Sequence, residues 1–372
     1  MRNLGIYVHI PFCKKKCDYC DFISFSNKDN IQEQYIETVC KDIVKSKEQA
    51  VNYEVSTIYF GGGTPSYIDS KLIGKVLEAI KVNYNVCDSA EITIEINPGT
   101  VTKEKLEFYK QIGFNRLSIG LQSTHDRLLK TIGRIHTYNE FLETYNLARQ
   151  VGFENINVDL MLALPTQTLD ELVQSTNDII KLNPEHISIY SLILEEQTLL
   201  HQKVMNGKME LLDEELERKM YWETKKILEA NGFEHYEISN FAKKEFKSKH
   251  NLSCWEQEEY LGFGVASHSY LGNKRFSRTN SIEEYIKNID VEINEVQDRE
   301  AKAKEYMLLG LRKLDGVSIS AFERKFEINP LFYFRFEISK LEEEDLIEVD
   351  LDNIKLTNKG LDLANRVFEE FV

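Results

Sequence analysis

Through the first half of the chain, short β-branched runs alternate with stretches in which apolar residues recur at helical spacing. Residues 4–10, 55–60, 91–96, 116–119, 156–161 and 186–192 read as strands, and residues 31–47, 70–82, 103–112, 138–151 and 169–180 as amphipathic helices between them. A parallel connection needs a dozen or more residues and is usually helical, so this order calls for a parallel sheet. An open six-unit barrel and a doubly wound sheet both satisfy it. Pro11, Pro65, Pro98 and Pro165 each follow a strand by a few residues, where proline ends pairing and stiffens a loop. They mark the rim at the carboxyl ends of the strands, which is where parallel α/β architectures build their sites.

From about residue 299 the pattern changes. Helical periodicity over 301–314, 320–326 and 331–341 is followed by a hairpin-like 346–357 and a closing helix over 360–371. Three helices and a β-wing predict a small winged-helix-like α+β module.

Composition then narrows the function. The 372 residues carry a formal charge of −15, from 46 Lys and Arg against 61 Asp and Glu. That balance argues against a nucleic-acid partner. No apolar run approaches the length of a membrane span, and residues 1–12 lack a signal-peptide cleavage pattern, so the expectation is a cytoplasmic protein without an intrinsic membrane anchor. Three of the six cysteines, Cys13, Cys17 and Cys20, fall within eight residues as C-x3-C-x2-C. Clustering of this kind in a reducing compartment suggests a metal. Three thiolates with no fourth cysteine nearby leave one coordination position open, and an open iron is a place for chemistry. Cys40, Cys87 and Cys254 are scattered, and Cys40 lies on an apolar helical stripe as a small core residue.

The cysteine loop follows the first strand, and Gly61-Gly62-Gly63-Thr64-Pro65 follows the second. This glycine run is neither a Walker loop nor a dinucleotide fingerprint; glycine here allows close backbone approach to a ligand amine. The combination resembles the radical S-adenosylmethionine (SAM) superfamily. The stretches IYVHIPFC, FGGGTPS, IEINP, RLSIGLQS, GRIH, NVDLMLALPTQT, HYEISNFA and HNLSCW resemble its coproporphyrinogen-dehydrogenase-like branch over nearly the whole chain.

The resemblance implies a partial (β/α)6 TIM-like barrel over residues 1–235, a connecting segment over 236–298 and the C-terminal module over 299–372. It implies a [4Fe–4S] cluster on Cys13, Cys17 and Cys20, and SAM contacts from Tyr7, Tyr19, Gly62, Gly63, Thr64, Glu95, Gln122, Arg134 and Asp159. Most of these positions fall near or after the carboxyl end of a predicted strand. No catalytic side chain is assigned, since the cofactor carries the hard chemistry. Lys14, Lys15 and Lys16 read as a solvated loop edge, with attraction of a flavodoxin- or ferredoxin-like electron donor as the functional alternative.

Two activities within the branch remain open at this point. One is a haem chaperone that binds haem and delivers it to respiratory haem proteins, meeting the membrane through such partners. The alternative is the oxygen-independent coproporphyrinogen III dehydrogenase. The enzyme pattern has a further cysteine where this chain has Phe22, and it carries an extension before a strand that here begins almost at Met1. The stretch His250-Asn251-Leu252-Ser253-Cys254-Trp255 is close to an H-N-x-x-Y-W motif of the chaperones. It makes His250 the leading haem ligand, with Cys254 in place of the motif's tyrosine and with His235 and His268 as weaker candidates.

Overall fold

The structure is a computed structural model that describes residues 1–372. Strands β1 (Arg2–Ile10), β2 (Tyr53–Gly62), β3 (Val86–Ile96), β4 (Arg116–Gln122), β5 (Ile156–Leu162) and β6 (His186–Ser191) pair in chain order and in parallel. Helices α1 (Gln32–Ser46), α2 (Ser70–Asn83), α3 (Lys103–Ile112), α4 (Asp126–Thr131), α5 (Tyr138–Val151) and α6 (Leu169–Lys181) lie along the connections. Thr137 and Thr168 each begin a helix with a reciprocal capping box to Glu140 and Glu171, which satisfies first-turn N–H groups that the helix itself cannot.

The strands sort their side chains by parity. Leu117, Ile119 and Leu121 of β4, Val158 and Leu160 of β5, and Ile187 and Ile189 of β6 join α-helical residues such as Tyr109, Phe141 and Leu172 in one buried core. The intervening residues, Arg116, Ser118, Gln122, Asn157, Asp159, Ser188 and Tyr190, line a polar lumen on the other face. This is the partial (β/α)6 barrel expected of the sequence.

The segment 236–298, expected as a connection, contributes strands to the same sheet. At one edge β8 (Asn240–Ala242) pairs antiparallel to β6, and β7 (Glu234–Glu237) to β8. At the other edge β9 (Tyr260–Phe263) runs parallel to β1, followed by antiparallel β10 (His268–Leu271), β11 (Lys274–Arg278) and β12 (Val291–Val296). The result is a twelve-stranded sheet. Most of these strands span three to five residues, too short to show a period. Helices α7 (Leu199–Met205), α8 (Glu214–Ala230), α9 (Lys249–Trp255) and α10 (Ile282–Lys287) complete this part.

A second core, built on Met307, Phe322, Phe334, Leu341, Ile354 and Phe368, holds the C-terminal module together. Its sheet has three strands in the order β13 (Val317–Ser318), β15 (Asn353–Leu356), β14 (Ile347–Val349). The helices expected over 331–341 and 360–371 are each broken, at Phe334 and at Leu363. The module docks through Arg312, stacked 4.5 Å from the Trp255 ring, and through Trp222 Nε1, which donates to Asp362 Oδ1 at 2.8 Å.

One buried ion pair ties the antiparallel flank to the barrel. Arg278 of β11 donates Nε and Nη2 to the two carboxylate oxygens of Asp42 on α1 at 3.0 and 2.8 Å, and Tyr285 on α10 donates to the same carboxylate. Both charged side chains are 1% exposed, so loss of one partner strands the other charge in a low-dielectric interior. Asp42→Leu is therefore expected to cost about 3–5 kcal/mol, and the double variant Asp42→Leu/Arg278→Met markedly less than the sum of Asp42→Leu and Arg278→Met alone. Denaturant unfolding of the four proteins checks this.

Candidate functional site

Cys13, Cys17 and Cys20 lie on the loop after β1, and short-range contacts pin that loop. Cys13 N donates to Phe25 O at 3.0 Å and Asp18 N to Ile132 O at 3.0 Å. Lys203 on α7 pairs with the Asp18 carboxylate at 2.5 Å. Lys15 and Lys16 also hold it, donating to Gly133 O and Phe22 O.

The glycine run packs against this loop, so the close approach it permits is to protein as well as to a ligand. A Cβ on Gly62 would stand 2.5 Å from the His9 ring, and one on Gly63 would stand 3.0 Å from Cys13 Sγ. Gly62 also has φ of +110°, which L side chains rarely adopt.

The three cysteines open on a cavity of about 520 Å3. Burial pushes the Cys13 thiol up and the Cys20 thiol up to about 11. Against that, the Thr64 hydroxyl donates to Cys13 Sγ at 3.6 Å and Arg134 Nη1 to Cys17 Sγ at 3.7 Å. Donors aimed at sulfur favour the thiolate, the form that binds metal. Three thiolates around one cavity can hold three iron corners of a cuboidal cluster and leave the fourth open to a ligand.

Tyr19, Gly62, Gly63, Thr64, Glu95, Gln122, Arg134 and Asp159 all line this cavity. Glu95 accepts from Tyr59 Oη at 2.9 Å and from Gly62 N at 3.2 Å, and burial pushes its carboxyl up to about 7. Asp159 accepts from Asn157 Nδ2 at 2.7 Å and is likewise raised by burial. Arg134 Nη2 donates to Asn97 Oδ1 at 3.0 Å and to Gly120 O. Gln122 ends β4 in the left-handed region at φ of +69°, a conformation found where function constrains the backbone.

Two buried polar atoms in this set, Gln122 Oε1 and Arg134 Nε, have no hydrogen-bond partner. Orphaned groups of this kind are destabilising unless something completes them. SAM, with an ammonium, a carboxylate, ribose hydroxyls and an adenine, has the functional groups to do so.

Tyr7 stacks on Tyr59 with ring centroids 6.3 Å apart. It lies in a neighbouring cavity of about 500 Å3, with His9, Phe22, Ile23, His250, Cys254, Tyr260 and His268. Because the Ile23 carbonyl can only accept, the 2.8 Å contact puts a proton on His9 Nε2. His9 Nδ1 is then the acceptor for the Tyr7 hydroxyl at 3.0 Å.

His250 Nδ1 meets Thr57 Oγ1 at 2.9 Å, and its ring stacks on Tyr59 at 5.1 Å. Burial, aided by the charge of Arg116, pulls this imidazole down to about 4, so it is neutral at physiological pH. Nδ1 is engaged, which leaves Nε2 for the cavity. His235 lies at neither cavity; it stacks on Phe241 at 4.3 Å as a core residue.

The two cavities share a wall. Asp21 and Phe22 line both, and the consecutive residues His250 and Asn251 face one each. Tyr59, Asn97, Arg116, Asn157, Tyr190, Asn240 and Asn251 were not singled out from the sequence, yet all line the cluster-side cavity. For Asn97, the residue after β3, and Asn157 of β5 the signal was present, since they stand two residues from Glu95 and Asp159 and continue the same parity.

Comparison with known proteins agrees with this geometry. The family model described as "Radical SAM superfamily" matches residues 7–179, and the "HemN C-terminal domain" model matches residues 297–363. "Heme chaperone HemW" of Bacillus subtilis (strain 168) is 36% identical over 98% of each chain. That of Lactococcus lactis subsp. lactis (strain IL1403) is 35% identical over 98% of this chain and 96% of its own. The structure of coproporphyrinogen III oxidase (HemN) from Escherichia coli superposes with a TM-score of 0.87 at 23% identity, covering 100% of this chain and 90% of that one. At that identity the likeness shows the fold.

The raised Glu95 carboxyl yields a pH prediction for the cluster-free protein. Its folded value of about 7 lies above the ordinary 4.5, so the protonated form favours folding. This contribution is full below pH 4.5 and is lost as pH rises through 7. It amounts to about 3 kcal/mol. Denaturant unfolding of wild type and Glu95→Gln between pH 4.5 and 8 is expected to show that wild type loses stability relative to the variant over this range; parallel curves would contradict it.

Proposed function

The chain belongs to the radical SAM superfamily and, within it, to the family of the HemW relatives, and from that premise we propose that it is a haem chaperone that binds haem and hands it to respiratory haem proteins. The observation that carries this reading is His250, a buried neutral imidazole at a cavity directly beside the cysteine site. A neutral imidazole is a good axial ligand for haem iron. Thr57 and Tyr59 fix its ring from two sides, and Phe22, Ile23 and Tyr260 give the cavity apolar surface for a porphyrin face. Cys254 and His268 stand in the same cavity as alternative donors.

Cys13, Cys17 and Cys20 hold the [4Fe–4S] cluster in this proposal. Tyr7, Tyr19, Gly62, Gly63, Thr64, Glu95, Gln122, Arg134 and Asp159 hold SAM, with the Tyr7 hydroxyl also donating to His9 Nδ1. When bound, the pair supplies reductive cleavage of a carbon–sulfur bond to give a deoxyadenosyl radical. The protein's share is positional. Arg134 steadies a sulfur and offers a cation to a carboxylate, and Glu95 accepts from an ammonium. Lys14, Lys15 and Lys16 present an exposed positive edge beside the cysteines for an acidic flavodoxin- or ferredoxin-like electron donor.

No helix is long and apolar enough to cross a membrane. The proposal places the protein in the cytoplasm, reaching membrane-bound recipients from the side. The alternative, oxygen-independent coproporphyrinogen III dehydrogenase, is separated from it by two measurements.

Anaerobic haem titration of wild type is expected to give a shifted Soret band that His250→Ala weakens at least tenfold while Cys254→Ser preserves it. Absence of a Soret change, together with SAM-dependent decarboxylation of coproporphyrinogen III, would overturn the chaperone reading. For the cluster, Cys17→Ala is expected to lose iron–sulfur absorbance and SAM binding together after reconstitution. A full iron and sulfide content in that variant would refute the ligand assignment.

A further inference from the structure

Arg116 is the first residue of β4 and only 2% exposed. Its side chain lines the cluster-side cavity, yet its Nε has no hydrogen-bond partner. Nor is the guanidinium part of any ion pair or side-chain hydrogen bond in the molecule. Its neighbour across the strand pair, Thr93, has an unpartnered buried hydroxyl as well. Strand register fixes the depth. Arg116 pairs with Thr93, whereas Glu95 pairs with Ser118, so Arg116 lies one inward-facing residue, about 6–7 Å, deeper than the Glu95 level.

A buried cation with no partner is costly unless something completes it. The other buried guanidinium of the sheet, Arg278, has its bidentate carboxylate. Arg116 has a cavity in its place. We propose that the floor of the lumen is a binding site for a carboxylate group, received by Arg116 and separate from the SAM contacts at the rim.

The surroundings select the ligand's charge. Asn157, Ser188 and Asn240 line the cavity above Arg116 with neutral polar groups, and Glu95 and Asp159 share those levels, since Ser118 pairs with both Glu95 and Asn157 and Ser188 pairs with Asp159. A phosphate or sulfate dianion there would face two protein carboxyls, whereas a planar monoanion matches the guanidinium fork at the lowest repulsion. The carboxylate has two sources to distinguish, a small free acid and the propionate arm of a tetrapyrrole. The second rests on the haem reading above and the first does not.

The test uses full-length, cluster-loaded protein under anaerobic conditions. It is titrated with propionate, with mesoporphyrin IX, which has no iron for His250 to ligate, and with mesoporphyrin IX dimethyl ester. The expected result is that Arg116→Gln weakens binding of the carboxylate probe by about ten- to hundredfold. Arg116→Lys restores part of the loss, and the ester is indifferent to all three proteins. Loss confined to mesoporphyrin identifies a tetrapyrrole arm, and loss confined to propionate identifies a small acid. Equal affinity of wild type and Arg116→Gln for both acids overturns the proposal. Should Arg116→Gln fail to fold, wild type alone decides, because equal binding of acid and ester with no propionate binding also overturns it. A normal Soret titration alongside that negative result would leave the haem reading standing, and Arg116-dependent propionate binding without a Soret change would do the reverse.

Discussion

A β-strand sends successive side chains to opposite faces, and in this sheet the two faces have opposite polarity. Leu117, Ile119 and Leu121 go under the helices while Arg116, Ser118 and Gln122 go into the lumen. A slip of one residue in any central strand would bury the polar set against helices and turn the apolar set into the cavity. Everything at the site inherits its position from that register. Glu95, Asp159 and Tyr190 converge because each occupies the inward parity of its own strand, and the loops then add Cys13, Thr64 and Arg134 above them.

The polar lumen is also where the molecule carries unresolved electrostatics. Glu95 and Asp159 are raised by burial, and Gln122, Arg134 and Arg116 each keep an atom without a partner. A core optimised for stability alone would pair or remove such groups. Along this cavity they mark surface that a ligand can complete, whereas Arg278 and Asp42 are paired with each other. Tyr59 joins the two sides of the site, since its hydroxyl holds Glu95 in one cavity and its ring supports His250 in the other. A change at either cavity is thus one side chain away from the other.

The outer parts of the molecule serve this arrangement. Strand β9 runs parallel to β1 and brings Tyr260 to the His250 cavity. The flank that follows is latched through Asp42 and Arg278. The Glu91 carboxylate accepts the first N–H groups of α9, those of Lys249 and His250, which sets the helix that carries the haem candidate. The C-terminal module has its own core and meets the barrel at Trp255, the residue that ends α9. Contact with the module therefore lies five residues along one short helix from His250.

Much of this was legible in the chain. The six parallel strands and their main helices follow from local periodicity, and α3 and α5 have the same bounds in sequence and structure. The cysteine spacing, the glycine run and the rim positions follow from motifs whose residues are close in sequence. The flanking strands β7 to β12 did not show, because runs this short acquire their state from the neighbour they pair with. Nor did the placement of Tyr7 in the second cavity, the arrival of His250 beside Tyr59, or the unpaired Arg116. Each of those depends on which segments, distant along the chain, share a wall. Sequence by itself set the parity of every barrel strand and so which residues look inward; only the closed tertiary structure decided which inward residues meet a partner and which are left facing a cavity, because burial and pairing are properties of the assembled surroundings.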